Sequence, residues 1–112
     1  MGRNKGRTEK ETSLIFPLQF HPEVEFDMQD AWEFYESRRI GLGDEFTLAV
    51  EATLNYISRS PLHFPIVFSY TRHILIKRFP YAIFYVVTDG IVYVSSVTHL
   101  SRDPKLWRSR LK

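Results

Sequence analysis

Asp89-Gly90 separates two runs that only strands accommodate well, YAIFYVVT (Tyr81–Thr88) and IVYVSSVT (residues 91–98). Both runs are dense in aromatic and β-branched side chains, and an Asp-Gly pair takes up the left-handed backbone of a two-residue hairpin turn. The turn length also sets the register, so an antiparallel hairpin is expected. A preceding run, residues 72–79, puts Ile74 and Ile76 on one side of a strand and His73, Leu75 and Lys77 on the other, and Pro80 then ends its pairing. Together these three runs predict a meander. The central run is apolar on both faces, with Ile83, Tyr85 and Val87 on one and Ala82, Phe84 and Val86 on the other. Such a strand must be covered twice.

One cover is legible upstream. Val24, Met28, Ala31, Trp32 and Tyr35 recur at helical spacing while Glu25, Asp30, Glu33 and Glu36 turn away, predicting a helix over about residues 22–39 with Pro22 in its first turn. Ile40-Gly-Leu-Gly43 interrupts the pattern. Asp44 offers an N-cap, and Phe46, Val50, Leu54 and Ile57 again share a helical face until Ser60-Pro61 stops it. Two antiparallel helices joined by a short turn follow. The second cover is expected from Leu106, Trp107 and Leu111 near the C-terminus, or from a partner protein.

Residues 1–13 (MGRNKGRTEKETS) are polar and lack an apolar period, which predicts a flexible basic tail, and residues 14–20 alternate weakly, as a short first strand would. Arg3, Lys5, Arg7 and Lys10 in the tail are either simply solvated or add non-specific attraction to nucleic acid. The fold class predicted is α+β, a strand, a helical hairpin and a three-stranded antiparallel meander (β-α-α-β-β-β) with a short C-terminal segment. Residues 14–112 are expected to form one domain, since the 112-residue chain has one modest core to offer.

Charge is unevenly spread. Residues 23–51 carry nine acids against Arg38 and Arg39, a net −7, whereas residues 59–112 carry nine Lys and Arg against Asp89 and Asp103, a net +7. The basic half is thereby oriented toward a polyanion or an acidic protein. The chain contains no cysteine, so disulfides and thiolate metal sites are excluded, and no apolar run is long enough to cross a membrane. No cofactor or metal is implied, and a cytoplasmic location is expected.

FHPEVEFDMQDAWEFYE at the first helix, GLGDEF opening the second, RHILIKRFPYAIFYVV across the paired strands and VTHLSRDPKLW at the end occur in an order and spacing that resemble the RelE/ParE superfamily of toxins from bacterial type II toxin–antitoxin systems, over residues 20–107. The resemblance implies the same β-α-α-β-β-β fold, a role in growth inhibition and plasmid stabilisation, and a cognate acidic antitoxin in a hetero-oligomer. It also implies one of two targets: ParE-like members inhibit DNA gyrase, and RelE-like members cleave mRNA on the ribosome. Fold alone does not choose between them.

Metal-independent RNA cleavage needs a base for the 2′-hydroxyl, cations for the phosphate and an acid for the leaving oxygen. Lys77 beside Arg78 supplies a base of lowered proton affinity, Arg72 or Arg78 the phosphate clamp, His99 the acid from an ordinary pKa of about 6.5, and Tyr81 or Tyr85 a surface for stacking or orientation. Arg72, Lys77, Arg78, Tyr81, Arg102, Trp107 and Arg108 are the candidates for contact with nucleic acid or antitoxin. The competing reading makes Lys77 and Arg78 protective charges on an edge strand, the tyrosines packing residues, His99 a backbone partner, and Asp103 a partner for Arg102. Residues 60–71 contain neither lysine nor arginine, which favours gyrase inhibition over ribonuclease chemistry. A non-toxic interaction module is the third alternative.

Overall fold

The computed structural model describes residues 15–111. The expected tail at residues 1–13, and Leu14, lie outside them. A short strand β1 (Leu18–Phe20) leads into helices α1 (Val24–Arg38) and α2 (Leu42–Arg59). Strands β2 (Ile66–Phe68), β3 (Thr71–Leu75), β4 (Tyr81–Thr88) and β5 (Ile91–His99) follow, and a helical turn α3 (Lys105–Arg108) runs into a 3-10 turn (Ser109–Leu111). The strands form one sheet in the order β1-β5-β4-β3-β2.

The hairpin forms around the expected turn. Thr88 faces Ile91, and Asp89 and Gly90 both adopt positive φ, 54° and 75°, as a two-residue turn of this hand requires. Further along, Phe84 faces Ser96 while Tyr85 faces Val94, so Ser95 is an extra residue in β5. That bulge lets Val94 and Val97, three apart, both enter the core beneath the helices, which strict alternation would forbid.

Two features extend the predicted meander. β1 pairs parallel to β5, Leu18 opposite Val92, and β2 pairs antiparallel to β3 within a segment whose prolines read as loop. Three residues between Pro65 and Ser69 are too few to show a period, which is why this strand was not expected from pattern. The predicted strand over residues 72–79 is also shortened. It ends at Leu75; Lys77 and Arg78 lie in the β3–β4 turn, Arg78 with φ of 75°, and the turn closes through Ile76 N–H donating to the Tyr81 carbonyl at 2.9 Å. Lys77 and Arg78 therefore do not guard an edge strand. The edge on this side belongs to β2, and the opposite one to β1.

The helix cap is corrected as well. Asp44 sits inside the first turn of α2, where its Oδ1 accepts the Trp32 indole N–H at 2.9 Å. The opening amides of Gly41 and Gly43 are satisfied instead by the two carboxylate oxygens of Glu36 in α1, each at 2.9 Å. Gly41 takes φ of 92°, and a Cβ on Gly43 would lie 2.8 Å from Trp32 atoms, its backbone oxygen included. The helices cross where only glycine fits.

Phe46, Val50 and Ile57 from α2 and Val24 and Ala31 from α1 bury against Ile83, Tyr85, Val92, Val94 and Val97. On the opposite face Ala82 and Phe84 meet Trp107, whose ring stacks on Phe84 at 4.0 Å and 14°. The second cover is thus the C-terminal segment, as one of the two expectations held, and Trp107 supplies it while Leu106 stays half exposed.

Candidate functional site

The candidate residues divide among three places. Arg72 points into the helix-facing side of the sheet, where Nη1 donates to the carbonyls of Phe64 at 2.6 Å and Leu62 at 3.3 Å, tying down the loop after α2. Tyr85, fully buried, donates its hydroxyl to the Pro61 carbonyl at 2.6 Å, and burial pushes its pKa up to about 12 against a smaller opposing pull from Arg72. Tyr85 has no face open to a ligand, and the partly buried Arg72 has its guanidinium turned onto backbone carbonyls. Both serve as fasteners for the segment 61–64.

At the β3–β4 turn, Lys77 is exposed and Arg78 reaches across to α2, donating to Glu45 Oε1 at 3.0 Å. Arg39 approaches the same carboxylate at 3.3 Å. Hydrogen bonds from Arg78 and then Arg39 hold the Glu45 carboxyl below its usual range. The guanidinium expected to clamp a phosphate is thus engaged by a carboxylate of its own chain.

The third place is a cleft of about 710 Å³ between α1, the open end of the hairpin and the C-terminal segment. Tyr81 and His99 face each other across β4 and β5, their rings edge-on at 5.1 Å. The Ser101 amide donates to His99 Nδ1 at 3.0 Å and the Ser101 hydroxyl lies 2.8 Å from the same nitrogen. An amide can only donate, so Nδ1 is the acceptor and the neutral ring carries its proton on Nε2. Arg102 lines the cleft from the same side as His99, and Asp30, Glu33 and Phe34 line it from α1. Burial, then the nearby Tyr35, raises the pKa of Tyr81. The cleft presents the His99 imidazole, the Tyr81 phenol and the guanidiniums of Arg102 and Arg110 together with three carboxylates, those of Asp27, Asp30 and Glu33. Among the described residues no group of three or more His, Asp or Glu side chains could hold a metal ion.

Asp103 does not pair with Arg102; its Oδ1 accepts the Lys105 amide at 2.9 Å and starts α3. Trp107 and Arg108 lie on the other side of the sheet, where the Arg108 guanidinium sits 4.2 Å from the Phe68 ring centre and Phe68 meets Trp107 edge-on at 5.9 Å. Lys77, Arg78 and His99, grouped as one catalytic set from the sequence, thus take up separate surroundings: an exposed turn, an ion pair and a cleft.

The cleft wall contains a clamp that no sequence signal announced. Arg110 forks onto Asp27, 2.6 Å to Oδ2 and 2.9 Å to Oδ1, and also donates to the Ser95 carbonyl at 3.1 Å. Asp27 Oδ2 accepts the Val97 amide as well, at 3.0 Å. One carboxylate therefore joins α1, β5 and the C-terminal turn. Its two partners lie 83 and 70 residues away in the chain, beyond any local pattern.

No family model matches the chain. Toxin ParE2 of Mycobacterium tuberculosis, in strains CDC 1551 / Oshkosh and ATCC 25618 / H37Rv, is 30% identical over 88 residues, which span 78% of this chain and 84% of the toxin. A structure of the chromosomal ParDE toxin–antitoxin system from P. aeruginosa superposes with a TM-score of 0.70 at 9% identity, covering 79% of this chain and 99% of the matched one. At that identity the superposition speaks for the fold.

Proposed function

The chain belongs to the RelE/ParE superfamily of toxins, as a relative of ParE2, and from that membership we propose that it arrests growth by binding DNA gyrase and is silenced by a cognate antitoxin. It is a toxin of the type II toxin–antitoxin class. The observation that carries the gyrase reading is how the cationic and phenolic candidates are engaged. Arg72 donates to two backbone carbonyls, Arg78 to Glu45 and Tyr85 to Pro61, so these three candidates do not converge on a place where a scissile phosphate would be held. A binding toxin needs no such convergence, only a rigid surface. No helix among the described residues is long and apolar enough to cross a membrane, which suits a cytoplasmic target.

Purified protein added to gyrase and relaxed plasmid is expected to block supercoiling at micromolar concentration. Unaltered supercoiling combined with growth arrest on expression overturns the gyrase reading while leaving the toxin class intact.

The ribonuclease reading retains one support, the Tyr81–His99–Arg102 grouping in the cleft. Its test is the double variant Lys77→Ala, His99→Ala. Full toxicity of that variant, with message intact on translating ribosomes, removes it.

A further inference from the structure

The outer face of α2 bears an apolar seam that stays exposed among the described residues. Phe46, Val50, Thr53 and Ile57 bury the inner face, while Leu48, Ala52 and Tyr56 on the outer face are exposed, Leu48 by 64% and Tyr56 by 66%. Glu51, Asn55 and Arg59 share that face and are exposed too. A single surface leucine is ordinary, but apolar residues at i, i+4 and i+8 make a stripe that a second helix can cover.

The charges beside the stripe are symmetric and have no partner of their own. Glu51 lies four residues before Asn55 and Arg59 four after it. They stand roughly 12 Å apart along the axis, too far to pair with each other. Their neighbours three and four residues away within the helix, Thr47, Leu48, Leu54, Asn55 and Tyr56, are uncharged, and neither residue enters an ion pair among the described residues. A twofold axis at Asn55, perpendicular to the helix, sets a second α2 antiparallel to the first and brings Glu51 of each copy level with Arg59 of the other. Both ion pairs then form at once, and the helix dipoles run in opposite senses. Asn55 meets its own copy at the centre, where a lone polar residue fixes the register of the apolar side chains around it.

Charge singles out a second copy as the occupant. On α1 the exposed charges are Glu25, Asp30 and Glu33 until Arg38 at its end, so two copies would repel there. An acidic segment laid on α2 would meet Asp44 and Glu51, whereas a second α2 answers Glu51 with its own Arg59. We propose that the outer face of α2 is a self-association surface, on which two copies of this chain pair antiparallel about Asn55 through reciprocal Glu51–Arg59 contacts. The inference goes beyond the toxin reading and does not depend on it. No residue of α2 lines the cleft, so both clefts stay open in the pair.

The test is sedimentation velocity on the full chain at rising concentration. One helix face per copy makes a small interface, so a monomer–dimer equilibrium is expected between about 10 and about 500 μM, shifting toward monomer as salt rises. Glu51→Arg alone and Arg59→Glu alone each set like charges opposite one another, and each is expected to weaken self-association at least tenfold. Mixed in equal amounts, the two variants regain both ion pairs, and dimer at the wild-type level is expected; damage to either chain's own fold would not be repaired by mixing. Ala52→Lys, which wedges a long charged side chain into the seam, gives the same loss should a charge variant fail to fold. A wild type that stays monomeric across the range overturns the proposal and leaves the face to a different protein. So does a folded single variant, Ala52→Lys included, that dimerises like the wild type, or a mixture of folded charge variants that stays monomeric.

Discussion

The two faces of the central strand β4 are defended unequally. Toward the helices, Ile83 and Tyr85 are wholly buried under side chains drawn from two long helices, with Phe46 and Tyr81 ring to ring at 4.9 Å and Phe46 and Phe79 at 5.2 Å. Away from the helices, Ala82 and Phe84 are buried chiefly by one indole, carried on a helical turn of four residues. Such a turn cannot be stable by itself. Its position comes from Asp103 at its start and from the Arg110 fork onto Asp27 beyond its end. The thick face is held by many interchangeable contacts and the thin face by a few specific ones.

Substitutions can break or sharpen that contrast. The largest effect is expected from Phe46→Ala, which opens a cavity in the thick layer at a site with 0% exposure and should cost about 4 kcal/mol, read as a lowered denaturant midpoint. A cooperative transition should persist, since the remaining ring contacts hold the layer. Trp107→Ala should cost about 3 kcal/mol and behave differently. Here the folded state itself would expose Phe84, so binding of a hydrophobic dye should rise before unfolding begins. If dye binding stays at the wild-type level, another group covers the face and the contrast fails.

Arg110→Ala removes a partner from a pair whose side chains are 19% and 14% exposed, and should cost about 2 kcal/mol, below the range for fully buried pairs. It should also speed exchange at the Val97 amide. The smallest effect is expected from Tyr85→Phe, about 1 kcal/mol near neutral pH for one hydrogen bond. Its signature lies in the pH profile. Because the folded pKa is raised from 10.0 to about 12, the wild type's neutral phenol contributes stability that is complete below pH 10 and is lost as pH climbs toward 12, and Tyr85→Phe should flatten that decline.

Much of this fold is readable in the chain because its signals are local. Asp89-Gly90 fixes the hairpin from two residues, and the stripe from Val24 to Tyr35 identifies α1 from its own period. What escapes the sequence is long-range. The parallel partnership of Leu18 with Val92 has no pattern of its own, and β2, three uninterrupted apolar residues, shows no alternation. The candidate site was legible in residue type and poorly legible in role, for the same reason. Arg72, Arg78 and Tyr85 are plausible catalytic residues until their partners are known, and those partners, Phe64, Glu45 and Pro61, are brought to them only by the tertiary fold. His99 comes to face Tyr81 only because Ser95 is an extra residue in β5; the turn's register alone would set Tyr81 opposite Thr98, and no local pattern announces the bulge.

The Arg110–Asp27 fork and the β1–β5 ladder also govern the order of events during synthesis. Both join an early part of the chain to a late one, Asp27 to Arg110 and Leu18 to Val92. Closing such wide loops slows folding relative to the hairpin and the helical pair, whose contacts are near neighbours. On a translating ribosome, with some tens of residues still inside the exit tunnel, α1 and α2 emerge and associate first. β1 then waits as an unpaired strand until β5 appears, and the thin cover over Phe84 closes after the strands it caps.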